Sequence, residues 1–128
     1  MEQSGENKLS FRLRGRQRIK KKTDFNLVFG GGQRASDHRL ALLARPGMGD
    51  TPRLGVSVGK KLGSAVRRNY YKRRLREAFR LAQHQLPGGW DIVLIPRPGV
   101  KASTGQYYDS IIRLIRRINR RSGKMNNP

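Results

Sequence analysis

Residues 53–79 read RLGVSVGKKLGSAVRRNYYKRRLREAF. Leu54, Val56 and Val58 alternate with Gly55 and Ser57, which predicts a strand with one apolar face. Residues 59–63 make a basic turn, and Ser64 is placed to cap a long helix that runs to about Gln83. On that helix Tyr71, Leu75, Ala78, Phe79 and Ala82 recur at helical spacing, while Asn69, Tyr70, Arg73, Arg76 and Arg80 fall towards the other side. Arg68 lies near the apolar meridian in the first turn, where a long side chain reaches past the core edge. Lys60, Lys61, Arg67, Arg68, Lys72, Arg73, Arg74 and Arg76 face a single acid, Glu77. A core has no need of such cation density; a surface that holds phosphates does.

Working outward, the segment upstream carries Thr23 as a cap for a short helix over 24–29, ended by Gly30, Gly31 and Gly32. A strand is expected over 39–44 and a loop over 45–52. Downstream, Pro87-Gly88-Gly89 is a turn, and the continuous apolar run 91–95 suits a strand buried on both faces until Pro96, Pro98 and Gly99 stop it. Trp90, at the start of that run, reads as core. Ser103-Thr-Gly-Gln106 has the form of a capping box. The helix it opens turns Tyr108, Ile111, Leu114, Ile115 and Ile118 inward and Arg113, Arg116, Arg117 and Arg120 outward. The expected order is helix, two or three strands, helix, strand, helix, so the class is α/β or α+β with one small sheet. Residues 1–17 form a basic arm, 18–121 a single domain, and 122–128 a tail.

The chain has 128 residues, 29 Lys+Arg against 8 Asp+Glu, and a formal net charge of +21. Self-repulsion of that size weakens a compact fold unless a polyanion screens it. Three blocks, 8–22, 60–80 and 113–124, hold most of the cations and merge into one field if the fold brings them together. No apolar run reaches membrane-spanning length, so no membrane partner is expected. There is no cysteine, hence no disulfide framework and no thiolate metal site, which fits a cytoplasmic location.

A protein-encoded active site is hard to assemble. The acids Asp24, Asp37, Asp50, Glu77, Asp91 and Asp109 are scattered, and His38 and His84 read as surface or cap residues. Zinc needs clustered ligands that are missing, and Gly59-Lys-Lys-Leu-Gly63 lacks the order of a nucleotide-triphosphate loop. Nucleic-acid contact is the stronger reading. Lys60 and Lys61 precede a helix N-terminus, where backbone N–H groups favour anions, and the arginines behind them offer planar forks for phosphate oxygens. Phe25 and Phe29 share one face of the first helix. They are either core anchors or a surface that stacks the bases of a single strand, at ~1–3 kcal/mol per base. Tyr70 points away from the expected core. Charge alone does not separate RNA from DNA.

These residues resemble a known family. Leu54-Gly-Val-Ser-Val-Gly-Lys-Lys-Leu-Gly-Ser-Ala-Val66, Arg68-Asn69, Lys72-Arg73 and Leu75-Arg-Glu-Ala-Phe79 look like the signature of the bacterial ribonuclease P protein subunit. Arg18-Ile-Lys-Lys-Lys-Thr-Asp-Phe25 with Val28-Phe29-Gly30 resembles that family's opening helix, and Asp91-Ile-Val-Leu-Ile-Pro-Arg-Pro98 its last strand and turn. The resemblance implies a two-layer α/β sandwich: a four-stranded sheet, three helices and a left-handed βαβ crossover, where the general rule gives a right-handed one. It also implies that the protein is not the catalyst. A catalytic RNA subunit, holding Mg2+, removes the 5′ leader of precursor tRNA, and no protein partner is implied. By motif, Phe25, Phe29 and Ser57 line a cleft for the leader. Arg16, Arg18, Lys60, Lys61, Arg67, Arg68, Asn69, Tyr70, Lys72, Arg73, Arg76 and Arg80 face RNA. The sequence departs from the family at Tyr70, which replaces the second arginine of an Arg-Asn-Arg triplet, and at Leu43, where some members carry an aromatic residue. The competing readings are a ribosomal or other structural RNA-binding protein and, against the scattered acids, a self-contained nuclease.

Overall fold

A four-stranded mixed sheet organises the chain. The computed structural model describes residues 17–47 and 51–122. Arg16, the rest of the basic arm, part of the loop before Pro52 and the tail from residue 123 lie outside them. In chain order the elements are α1 (Lys22–Gly31), β1 (Gln33–Ser36), β2 (Leu40–Pro46), β3 (Arg53–Val56), α2 (Ala65–Ala82), β4 (Trp90–Pro96) and α3 (Thr104–Ser122). Single 3-10 turns over Lys60–Leu62 and Gln83–Gln85 flank α2. The strand order is β1-β2-β4-β3. Neighbours pair antiparallel except β3 and β4, which are parallel, with α2 as their crossover.

Alternation sorts the strands onto two faces. Leu40, Leu42, Ala44, Leu54, Ile92 and Leu94 pack under α2 and α3 in the main core, together with Leu75, Phe79, Trp90, Tyr107, Ile111, Leu114 and Ile118. Leu43 and Val93 face the other way and join Ile19 and Val28 beneath α1, with Phe25 and Ile95 at the margin. The loss of alternation in residues 91–95 follows from this: β4 is central and covered on both faces. The β3 edge is partly covered. Ile19 donates its N–H to the Leu54 carbonyl at 2.7 Å, so the segment before α1 lies along β3.

Several expectations hold. The Ser64 Oγ accepts from the Arg67 N–H at 3.3 Å, and all five residues assigned to the inner face of α2 are buried. The capping box closes from both sides: the Gln106 N–H donates to Ser103 Oγ at 3.1 Å and the Ser103 N–H to Gln106 Oε1 at 2.9 Å.

Others need correction. Thr23 does not cap α1; it sits inside a helix that starts at Lys22 behind Lys21, which offers no side-chain cap. Gly30 and Gly31 belong to that helix, and only Gly32 ends it. Arg45 and Pro46, expected in a loop, complete β2 because β4 is long enough to pair with them. Strand β3 stops at Val56, although the Ser57 N–H still donates to the Leu94 carbonyl at 2.9 Å. Tyr107, absent from the expected inner face, is the fully buried tyrosine of α3, and Tyr108 packs half-buried against the core. Gln17 is buried too, and its amide donates to Gln83 Oε1 at 2.9 Å, which ties the last residue of the arm to the end of α2.

Candidate nucleic-acid interface

The inner face of α2 fixes the direction of its outer one. With Tyr71, Leu75, Ala78 and Phe79 held in the core, Asn69, Tyr70 and Arg73 are exposed and Lys72, Arg74 and Arg76 half-buried. They border a broad open depression of about 1080 Å³. Its far wall is Arg18, delivered from a distant part of the sequence by the pairing of residues 18 and 19 with Leu54. The side chains of Arg18, Arg73 and Arg76 have no ion pair among the described residues. The Arg76 guanidinium is held below its ordinary value, by burial first and by the Arg18 charge second. Two like charges kept close in a half-dry place store repulsion that an anion relieves.

A second, smaller depression of about 240 Å³ opens between the N-terminal part of α1 and the edge of β3. Ile19, Lys20, Phe25, Leu54 and Val56 line it, and Arg18 and Arg76 complete it. Those two arginines border both hollows and join them into one surface. The Phe25 ring lies on the backbone of Gly55, where a Cβ would come within 2.7 Å of the ring carbon Cε1; any larger residue there would displace the ring. Phe25 is therefore partly a core residue. Phe29 stacks on it, with ring centroids 6.3 Å apart and planes at 23°, yet is itself 44% exposed. One aromatic is anchored and the other presented. Ser57 is half-buried and, by alternation with Val56, belongs to the same sheet face as Gly55.

The remaining sequence candidates are placed less uniformly. Lys60 and Lys61 are exposed on the turn pinned by buried Leu62, and neither borders the two depressions. Gly63 closes that turn at φ 112°, and its missing Cβ leaves room for the Arg67 side chain. Arg67 borders a separate hollow with Ser64, Tyr70 and Lys101. Arg68 is half-buried, and its Nε is enclosed without a hydrogen-bond partner among the described residues. Arg80 reaches the large depression, but Glu77 grips it at 3.0 and 2.7 Å. That contact lowers the Glu77 carboxyl and raises Arg80, so this charge is partly spent within the protein. Tyr70 is exposed, but the Arg74 guanidinium sits 4.4 Å over its ring, which leaves one face for an incoming base. Arg74, which the sequence places in the basic run but not among the RNA-facing residues, lines the surface, as does Lys20, which it did not single out. The i,i+4 spacing of Tyr70 and Arg74 was the available signal.

The acids near this surface already have partners. Asp91 binds Arg53 through two contacts of 2.9 Å, and Asp24 approaches the same guanidinium at 3.7 Å. Among the described residues no three His, Cys, Asp or Glu side chains cluster as metal ligands would. No helix there is long and apolar enough to cross a membrane. The surface offers cations and an aromatic ring, with no paired acid and base.

Comparison with known proteins gives the family. The family model described as Ribonuclease P matches residues 13–119. The ribonuclease P protein component of Herpetosiphon aurantiacus is 40% identical over 100 residues, 77% of this chain and 81% of the relative. That of Clostridium kluyveri is 37% identical over 108 residues, covering 83% and 94%. Among solved structures, the RNase P protein of Staphylococcus aureus superimposes with a TM-score of 0.69 at 32% identity, over 80% of this chain and 94% of that one. The Thermotoga maritima RNase P protein gives 0.70 at 33%, over 78% and 96%. The chain belongs to the ribonuclease P protein component family.

Proposed function

We propose that this subunit holds RNA and leaves bond breaking to it. The surface formed by Arg18 with Asn69, Lys72, Arg73 and Arg76 grips phosphates of the catalytic RNA, and Lys60, Lys61, Arg67 and Arg68 extend that grip around the start of α2. The groove beside Phe25, Phe29 and Ser57 takes the single-stranded 5′ leader of precursor tRNA, with Phe29 as the ring that stacks on a base. Mg2+ is held by the RNA and serves the cleavage there. Protein cations substitute for part of the ion atmosphere between leader and catalytic RNA, so less magnesium is needed. The work takes place in the cytoplasm, where precursor tRNA is made. The observation that carries this reading is the junction at Arg18 and Arg76: two cations without an acid partner border both the broad depression and the aromatic groove.

The test is a comparison of two ligands. Phe29→Ala removes an exposed ring with little cost to the core. It should weaken binding of leader-bearing precursor tRNA to the holoenzyme by roughly 5–150-fold, the range expected for one lost base stack, and leave mature tRNA nearly unchanged. Equal loss for both ligands contradicts a leader groove.

A further inference from the structure

The third basic block does not join the first two. Helices α2 and α3 lie side by side on the sheet, α2 towards β3 and α3 towards β1. Near the C-terminal end of α2, a hollow between the two helices is lined by Leu81, His84, Gln85, Gly105 and Tyr108, with no lysine or arginine. The arginines of α3 therefore form a separate surface.

Partner accounting divides those arginines. Arg113, Arg117 and Arg121, each four residues from the next, turn to the open edge of β1. Arg113 pairs with Asp37 at 2.9 Å. Arg117 donates to the Ser36 carbonyl at 3.2 Å and Arg121 to the Arg34 carbonyl at 2.7 Å. These three latch the helix to an edge strand whose carbonyls would otherwise be open to another chain. Arg116 and Arg120 do none of this. Both are exposed, and neither has a hydrogen bond or ion pair among the described residues. They border a depression of about 500 Å³ floored by Tyr108 and Ile112. Asp109 lines it as well but makes no ion pair with either arginine. Unneutralised guanidinium forks beside a tyrosine ring match phosphate and base together.

We propose that Arg116, Arg120 and Tyr108 form a second RNA contact, for a segment of the catalytic RNA other than the one held by α2. The inference rests on RNA being the partner of this subunit. A neutral hollow lies between the Arg116–Arg120 surface and the α2 surface, and the protein binds as a clamp between two segments. Two modest contacts on a rigid body then reinforce each other through effective concentration.

The experiment uses the full chain and its catalytic RNA at fixed magnesium. Affinity is measured across a salt series, and nucleotide protection is mapped for three variants. For Arg116→Gln with Arg120→Gln, the expected result is an affinity loss of about tenfold and a salt slope smaller by roughly 1–2, the share of two phosphate contacts. Protection should vanish from a segment that Arg73→Gln leaves protected. The double variant Arg116→Lys with Arg120→Lys should retain most of the affinity, because it keeps the charge. Wild-type affinity, slope and protection in the glutamine variant, alongside weakened binding by Arg73→Gln, would overturn the second contact while leaving the α2 surface intact. Equal losses in the lysine and glutamine variants would overturn the charge account. Loss of binding to phosphatidylglycerol vesicles with RNA binding unchanged would reassign the surface to lipid and overturn the proposal as well. If Arg73→Gln binds normally while the glutamine variant fails, the α2 reading falls and the α3 contact stands.

Discussion

The two edges of the sheet treat their arginines in opposite ways. At the β1 edge, Arg113, Arg117 and Arg121 are bonded to Asp37 and to strand carbonyls. Arg39 donates to Ser110 Oγ and the Gln106 carbonyl, and Arg97 to the Asp37 carbonyl at 2.6 Å. At the β3 edge Arg53 is held by Asp91, but Arg18, Arg73 and Arg76 border one depression with no ion pair of their own among the described residues. Both regions look equally basic in the sequence. The first uses all of these arginines as scaffold, whereas the second keeps three without a protein partner among the described residues. What marks a binding surface is thus the count of unpartnered cations rather than their density.

The largest effect expected from breaking the scaffold is at Asp91, which joins β4 to β3 through the two-pronged contact with Arg53. The same contact, ahead of Coulombic help from Asp24, raises the Arg53 guanidinium. Asp91→Ala leaves that guanidinium without its main partner and should cost about 2–3 kcal/mol in urea unfolding, below the full cost of a buried charge because Arg53 is partly solvated. A change under about 0.5 kcal/mol, the range of an ordinary surface substitution, would mean that the contact is ornamental.

Asp37 sharpens the comparison through pH. Burial pushes its carboxyl up, but the Ser110 hydroxyl, the Leu40 and Arg39 amides and Arg113 outweigh it and hold the group well below the usual carboxylate range. An acid depressed in the folded state contributes stability that is complete above the unfolded value near pH 4 and is lost as pH falls through it towards the folded value. Asp37→Asn should therefore cost about 2 kcal/mol at pH 7 and flatten the acid limb of the stability curve. An acid limb identical to that of the unsubstituted protein would show that the network is not formed.

The unpartnered edge should behave in reverse. Arg76→Met removes a half-buried charge that Arg18 repels, so the protein should unfold at the same or higher urea concentration. Its affinity for RNA should fall by about tenfold, or ~1.4 kcal/mol. Lost stability with unchanged RNA affinity would place Arg76 in the scaffold instead. The smallest effect is expected in the core. Burial pushes the Tyr107 hydroxyl up to about 12, and that hydroxyl has no hydrogen-bond partner among the described residues. Tyr107→Phe should be neutral or stabilising by up to ~1 kcal/mol. A loss above ~1 kcal/mol would reveal a partner for it.

The sequence made some of this legible and concealed the rest for physical reasons. Helix α2 could be read because cap, period and charge all agree over its whole length. Strand β4 could be read because central burial leaves an unbroken apolar run. Strand β1 is nearly silent: Gln33-Arg-Ala-Ser36 has one buried residue, and its pairing comes from β2 alone. Tyr107 and Tyr108 are adjacent, so a modest rotation of the helix decides which one is buried. The exposed roles of Arg116 and Arg120 were readable from period. The latching of Arg113, Arg117 and Arg121 was not, because their partners lie far away in the sequence, on and just after β1. Likewise, the split between anchored Phe25 and presented Phe29 depends on Gly55, which only the fold brings beneath the ring.

The central claim is a division of labour between unpartnered protein cations and an RNA that performs the cleavage. Its most direct test measures leader removal from precursor tRNA across a magnesium series, with nuclease-stripped protein alone, with catalytic RNA alone, and with both. The account predicts no cleavage by the protein, cleavage by the RNA at high magnesium, and a shift to lower magnesium when the two are combined. Cleavage by the stripped protein, or a magnesium dependence that its addition leaves unmoved, would contradict it.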